Sequence, residues 1–228
     1  PERDRVTAER VERYADLVLS RRPLPASPEQ AAATLAAAAS ANPASVLPLA
    51  EPAVAAFLAR VRWLAGVRPE LGLPRFDDDE LRALLPALCA GRRSFAELRA
   101  APLLPWLEAR LDDAQRAALA REAPERLPLP SGSTVRLRYE EGRPPVLAAR
   151  IQELFGLAET PRVAGGRVAV LLHLLAPNQR PQQVTDDLAG FWERTYPEVR
   201  RELAGRYPKH AWPLDPRTAP PERRPRRR

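Results

Sequence analysis

A short segment near the end of the chain combines the residue types that nucleic-acid-binding proteins use. Within seven residues it holds Arg206, Lys209 and His210, interleaved with Tyr207 and Trp212. Cationic side chains attract backbone phosphates, and aromatic rings stack on the bases of a single strand. The segment is therefore predicted to contact nucleic acid. The alternative is that the two large aromatic residues pin the chain end onto the core while the cations face water.

Three further arginines are weaker candidates for the same kind of contact. Arg180 falls in the loop after a predicted hairpin. Arg136 and Arg138 alternate with Val135 and Leu137, so both arginines are expected on the exposed face of a strand. An exposed arginine is often simply solvated, and that reading competes with the functional one at all three positions.

Signals for nucleotide binding are missing from the sequence. Lys209 is the only lysine, and no Gly-x-x-x-x-Gly-Lys loop leads to it. ATP therefore cannot be held in the manner of phosphate-binding-loop enzymes. The pair Gly165-Gly166 lacks the spacing of a dinucleotide fingerprint and is expected to form a hairpin turn.

Signals for metal binding and catalysis are equally missing. His173 and His210 are the only histidines, and Cys89 is the only cysteine, so neither a zinc cluster nor an internal disulfide can form. The adjacent acids Asp186 and Asp187 are the ordinary choice at the start of a helix. We predict no catalytic residue, no bound cofactor and no metal site in this chain, which is thus not expected to be an enzyme by itself.

Composition points to a piece of a longer protein with a basic end. The chain begins with Pro1 and has no methionine, while 27 prolines limit the length of its helices. Its net charge is +7, and six arginines fall among residues 217–228. That Arg/Pro tail is predicted to be disordered, either as a solvated terminus or as a phosphate-attracting arm. No apolar run approaches the roughly 20 residues that span a bilayer, so a cytoplasmic location without a membrane partner is expected.

The first half of the sequence predicts helices. Ser27 followed by Pro28 is typical of a helix start, and the acidic run Asp77–Glu80 precedes another apolar stripe. Residues 27–125 are therefore predicted to be a helical domain. Residues 1–26 are ambiguous, although Leu17–Leu19 favours a strand, which would be a remnant of a preceding domain.

The second half, residues 126–216, predicts a small α+β domain. Residues 133–141 alternate as a strand, residues 147–157 have helical spacing, and residues 162–175 predict a hairpin. Thr185 is the predicted N-cap of a further helix. The fold class is thus α+β, with a mainly helical first half and a smaller second part containing a few antiparallel strands.

Several blocks of this second part resemble, in order, the C-terminal domain of HrpB-type ATP-dependent RNA helicases of the DEAH-box class. The blocks are Pro128–Ser133 followed by Tyr139, Pro145–Gly156 (PVLAARIQELFG), Leu171–Leu175 with Arg180-Pro181, Thr185–Trp192 (TDDLAGFW) and Gly205–Pro216 (GRYPKHAWPLDP).

The resemblance implies a longer protein with two RecA-like motor domains that bind ATP and magnesium and act on RNA. This region would then be a non-catalytic accessory part that scaffolds the motor and contacts single-stranded RNA. The alternative is an adaptor of the same helicase that recruits a protein partner without touching nucleic acid. An independent hydrolase is the least favoured reading.

Overall fold

The computed structural model describes residues 4–223. The chain folds as two compact units, the first comprising Pro1–Leu58 and Pro74–Asp112, the second Ala59–Leu73 and Asp113–Arg228. The sequence placed the change of region at residue 126, whereas residues 59–73 and 113–125 group with the later half. No helix in the described part of the chain is long and apolar enough to cross a membrane.

The first unit is built from short helices and one hairpin. Its elements are β1 (Ala8–Tyr14), β2 (Leu17–Leu24), α1 (Pro28–Ser40), α2 (Pro43–Val46), the first part of α3 (Pro52–Val67), α4 (Asp78–Cys89), α5 (Phe95–Arg99) and α6 (Leu104–Glu108). The predicted helix starts are confirmed, because Ser27 and Asp77 both cap their helices and both complete a capping box. Helix α1 buries Leu35 and packs against α4, which buries Leu85 and Leu88.

The β1–β2 hairpin exposes most of its apolar side chains. The two strands pair antiparallel, and the side chains of Tyr14, Leu17 and Leu19 are 76%, 66% and 61% exposed. A two-stranded hairpin has two faces and cannot cover either by itself, so an isolated one is marginal in water. Its apolar surface therefore has no cover among the described residues.

The second unit is a mixed α+β structure, as the sequence predicted. Besides the rest of α3 it contains α7 (Asp113–Glu122), β3 (Arg126–Pro128), β4 (Thr134–Arg136), β5 (Val146–Arg150), β6 (Arg162–Val163), β7 (Val168–Ala169), β8 (Leu171–Leu175), β9 (Pro181–Thr185), α8 (Leu188–Gly190) and α9 (Tyr196–Arg206). The largest sheet has the order β5-β8-β9, in which β5 runs parallel to β8 and β9 runs antiparallel to it.

The helix predicted at residues 147–157 is wrong. The structure has strand β5 there, followed by a short 3-10 turn, Ile151–Leu154. Along β5 the buried Leu147 and Ala149 alternate with half-buried neighbours. Pairing with β8 satisfies the backbone hydrogen bonds of this segment as a strand.

Aromatic side chains form much of the core of the second unit. Phe155, Phe191, Trp192 and Tyr196 contact one another with ring centroids 5.0–6.2 Å apart. The indole of Trp192 donates to the carbonyl of Leu157 at 2.8 Å. Such tilted and edge-on contacts are the favoured geometry for aromatic packing.

A second aromatic pair joins helix α3 to the segment that follows β4. The rings of Trp63 and Tyr139 are 5.0 Å apart. The Trp63 indole donates to the carbonyl of Arg143 at 2.8 Å, and the Tyr139 hydroxyl donates to that of Pro124 at 2.7 Å. Both side chains are buried, so each polar atom has a partner, as buried polar groups require.

After α9 the chain returns across the second unit as an irregular segment, Ala211–Arg223, which we call the C-terminal strap. Pro216 accepts from the N–H of Gly156 at 2.9 Å, and the N–H of Glu222 donates to Gln152 at 2.9 Å. The hydroxyl of Tyr196 also donates to the strap, at Pro213. The sequence predicted a disordered tail from residue 217; the strap includes residues 217–223 of it, and residues 224–228 lie outside the described residues.

Candidate nucleic-acid interface

The segment Gly205–Trp212, called the loop below, consists of the last two residues of α9 and the turn that follows it, and its own hydrogen bonds hold it. Helix α9 ends at Arg206, and the N–H of Tyr207 donates to the carbonyl of Leu203 at 2.7 Å. The carbonyl of Tyr207 then accepts from the N–H of His210 at 3.1 Å and from the indole of Trp212 at 3.0 Å. The rings of Tyr207 and His210 meet edge to face at 6.4 Å. The loop is therefore built around Tyr207.

The cations and the aromatic side chains of this loop have different environments. Arg206 and Lys209 are exposed, whereas Tyr207, His210 and Trp212 are half-buried. The carbonyl of Trp212 also accepts from the guanidinium of Arg200, so this residue is tied at both its ring and its backbone. The two cations therefore lie at the surface, while the aromatic residues fix the shape of the loop.

The two exposed cations of the loop differ in their ion pairs. Arg206 faces Glu202 one turn back on α9, with 3.4 Å between nitrogen and oxygen. Lys209 makes no ion pair with any residue from 4 to 223. His210 faces the carboxylate of Glu222 at 3.7 Å, so its ring is turned towards the strap. Of the two exposed cations of the loop, Lys209 is thus the one without a carboxylate partner among the described residues.

The structure does not bring the other three predicted arginines to this loop as one group. Arg136 pairs with Glu125 at 2.6 Å, while Arg138 is exposed, as the strand alternation predicted. The backbone of Arg138 bonds to Val146 at the start of β5, whereas Arg180 lies in the turn between β8 and β9, beyond the other end of the same sheet. A five-residue strand separates these ends by about 13 Å.

The sequence reasoning did not single out Arg200 and Arg201, the two adjacent arginines in the middle of α9. Arg201 is exposed and forms no ion pair within the described residues, while its neighbour Arg200 bonds to Trp212. The adjacent Arg200-Arg201 pair just before the Gly205–Trp212 loop was the available signal. The whole second unit is basic, with 24 Lys and Arg against 15 Asp and Glu, while the first unit has 12 against 14.

Lys209 is not placed as the lysine of a phosphate-binding loop is placed. Lys209 follows the C-terminal end of α9, where carbonyl groups are exposed, whereas phosphate-binding loops place lysine before a helix N-terminus. Within residues 4–223 no three His, Cys, Asp or Glu side chains are grouped to hold a metal. Cys89 is buried, which raises the pKa of its thiol.

The predicted helix start at Thr185 is displaced by two residues. Asp187 is the N-cap and accepts from the N–H of Gly190 at 2.8 Å, while Thr185 ends strand β9. This hydrogen bond and the Arg194 guanidinium, also at 2.8 Å, lower the pKa of the Asp187 carboxyl. The position of the Asp187 carboxylate and its lowered pKa therefore follow from its role as the N-cap of α8 and from its ion pair with Arg194.

Comparison with known proteins agrees with this architecture. Residues 84–216 match the sequence model of a family described as "ATP-dependent helicase C-terminal". The chain is 42% identical over 172 residues to the ATP-dependent RNA helicase HrpB of Escherichia coli K12, covering 73% of this chain and 21% of that protein.

Two solved structures are similar as well. The crystal structure of the E. coli DExH-box NTPase HrpB aligns with a TM-score of 0.82 and 33% identity, over 98% of this chain and 30% of that one. A crystal structure of the E. coli DEAH/RHA helicase HrpB aligns with a TM-score of 0.69 and 34% identity, over 90% and 26% of the two chains.

Fold and sequence together define the C-terminal region of an ATP-dependent helicase. The family match covers more than half of the chain, and the chain belongs to the HrpB family. It spans about a fifth of the length of the E. coli relative.

Proposed function

We propose that this region is a non-catalytic accessory part of an ATP-dependent RNA helicase, where it braces the motor and holds single-stranded RNA by its phosphates. ATP and magnesium would be bound by RecA-like motor domains elsewhere in the longer protein, in the cytoplasm. The residues described above would then bind the RNA backbone and support the motor, while ATP hydrolysis would be coupled to movement in the motor domains.

The observation that carries the RNA proposal is a set of exposed cations without carboxylate partners. The exposed cations of the second unit that form no ion pair among the described residues include Arg138, Arg180, Arg201 and Lys209. A cation already paired with a carboxylate must lose that partner before it binds phosphate, whereas these four need not. Each phosphate they neutralise would release a condensed counterion, which is the main source of sequence-independent affinity.

The test is binding of the 228-residue chain to a fluorescein-labelled oligouridine strand over a salt series. Affinity should fall steeply between roughly 50 and 200 mM KCl. Lys209→Ala should weaken binding and flatten the log–log salt slope by about 0.7, the contribution of one phosphate contact on a single strand. The matched control is Arg110→Ala, an exposed cation of the first unit, which should bind as the parent chain does.

A second candidate function is supported by the exposed apolar hairpin of the first unit. Tyr14, Leu17 and Leu19 are mostly exposed, and surface of this kind suits a protein partner better than a phosphate backbone. In this reading the region is an adaptor of the helicase that does not touch nucleic acid. Absence of RNA binding at the lowest salt concentration would contradict the first proposal and favour the adaptor.

A further inference from the structure

The three-stranded sheet has a second face that does not point into the core. On β5 and β8 buried side chains alternate with half-buried ones. The buried set is at most 3% exposed and consists of Leu147, Ala149, Leu172 and Leu174. Because successive side chains of a strand point to opposite faces, the half-buried set lies together on the other side of the sheet. We call this side the outer sheet face.

The strand register shows which residues share the outer sheet face. Residues directly opposite each other on paired strands point to the same side. Ala148 is in register with His173, and His173 is in register with Val184, so His173 is the central residue of the face. The two flanking rows follow from the same pairings and consist of Arg138, Val146 and Leu171 on one side and of Arg150, Leu175 and Pro181 on the other.

His173 places an aromatic ring at the centre of an apolar surface. Its side chain is half-buried and makes no hydrogen bond or ion pair within residues 4–223. Its neighbours along and across the strands are apolar, and among them Val184 is 48% exposed. Proteins stack unpaired bases of single-stranded RNA on aromatic side chains, histidine included. The ring of His173 therefore suits contact with a base.

Positive charge borders the outer sheet face at both ends. Arg138 is at one end and Arg180 lies in the turn beyond the other; both are exposed and form no ion pair among the described residues. None of the nine residues of the face is acidic. Arg150 is less available, because its guanidinium bonds to Glu153 at 3.3 Å and to the carbonyl of Arg223 at 2.7 Å. An apolar centre between two available cations matches a base with a phosphate on each side.

The size of the face favours a base over a protein partner. Its rows cover about 13 Å along the strands, and its four neighbouring chain segments cover about 14 Å across them, which gives roughly 200 Å². A stable protein interface buries about 800 Å² on each partner. The face is thus about a quarter of what a protein partner needs, whereas a stacked base needs only one ring and the side chains around it.

We propose that one base of single-stranded RNA stacks on His173 at the outer sheet face, while Arg138 and Arg180 hold the phosphates on either side of it. This inference rests on the proposed function and specifies where the strand meets the second unit. Every base has a π-face, so the contact adds affinity without selecting a sequence.

His173→Ala tests the stacking contact on the labelled oligouridine strand. Loss of a stacked base should weaken binding by about fivefold or more. The log–log salt slope should stay unchanged, because no phosphate contact is lost. His173→Phe keeps an aromatic ring and should restore binding. The matched control is Trp106→Ala, which removes an exposed ring of the first unit and should bind as the parent chain does.

A strand of the same length built from abasic nucleotides separates stacking from charge. The parent chain should bind this strand more weakly than oligouridine, and His173→Ala should bind it as the parent chain does. Arg138→Ala and Arg180→Ala should instead weaken binding of both strands, and each should lower the salt slope by about 0.7.

Val184→Glu tests the same face without touching the half-buried histidine. The Val184 side chain is 48% exposed, so the core is not altered. The new carboxylate would stand in register with His173 and should weaken oligouridine binding by repelling phosphate. Ala158→Glu adds the same charge at an exposed position outside the sheet and should weaken binding less. Thermal unfolding of each variant checks that the fold persists.

The outcomes separate the stacking site from the broader function. A loss for His173→Ala on oligouridine, with none on the abasic strand and recovery in His173→Phe, supports the site. If oligouridine binds but His173→Ala and Val184→Glu behave as their controls do, the site is refuted and the proposed function stands. Equal affinity of the parent chain for the two strands refutes the site as well. If the parent chain binds neither strand, both proposals fail, and a protein partner is the remaining occupant.

Discussion

The hydroxyl group of Tyr139 offers a direct test of the second unit's packing. This group donates to the carbonyl of Pro124 at 2.7 Å, and the ring packs against Trp63 inside the unit. Tyr139→Phe keeps the ring and removes only the donor. A buried carbonyl that loses its partner costs about 1–3 kcal/mol.

The position of Pro124 narrows this range. The residue is half-buried, so water can partly replace the lost donor, and a loss of about 1–2 kcal/mol is expected. For a chain of this length that corresponds to a decrease in Tm of roughly 3–6 °C. The assay is thermal unfolding followed by circular dichroism at neutral pH.

Tyr14→Phe is the matched control, because that side chain is 76% exposed on the β1–β2 hairpin. The same chemical change there should alter stability by less than about 0.5 kcal/mol. If the Tyr139→Phe and Tyr14→Phe variants have the same Tm, the Tyr139 hydroxyl does not stabilise the fold. The claim that its hydrogen bond to Pro124 matters for stability would then be wrong.

Two more predictions concern a glycine and alkaline pH. Gly190→Ala should lower Tm, because the new Cβ would collide with the Asp187 carboxylate that caps the helix. Gly205→Ala, with open space around it, should raise Tm slightly in the same melts. Burial raises the pKa of the Tyr196 hydroxyl above its ordinary value of 10. The stabilisation from the neutral phenol is therefore complete below pH 10 and lost as pH rises through the higher folded-state pKa, and Tyr196→Phe should flatten this alkaline decline in unfolding experiments.

The helix starts could be predicted because their signals are local. Ser27 and Asp77 each bond to backbone N–H groups within three residues, so sequence spacing contains the whole interaction. The exposure of Arg138 could be predicted in the same way, because the residue alternates with Leu137 and Tyr139, which are buried.

Strand β5 could not be predicted because its apolar spacing fits two structures. Leu147, Ile151 and Leu154 match a helical face, and Leu147, Ala149 and Ile151 match one face of a strand. The choice is made by β8, which lies 25 residues further on and supplies the hydrogen bonds. Local spacing contains no information about such a distant partner.

The strap was missed for a related reason. Disorder was predicted from residue 217 onwards, because residues 217–228 contain six arginines and three prolines and few apolar side chains. The strap is held instead by single hydrogen bonds to Gly156, Gln152 and Tyr196. No sequence pattern predicts these bonds.

The mixed pairing of the central sheet has a consequence for the order in which the second unit folds. Strands β8 and β9 are joined by a short turn, and their closest paired residues, Leu175 and Pro181, are six positions apart. Strand β5 pairs with β8 across a separation of 25 residues, which includes the β6–β7 hairpin. Closing the loop between β5 and β8 costs more chain entropy than closing the turn between β8 and β9. Strands β8 and β9 should therefore pair first, and β5 should join the sheet later.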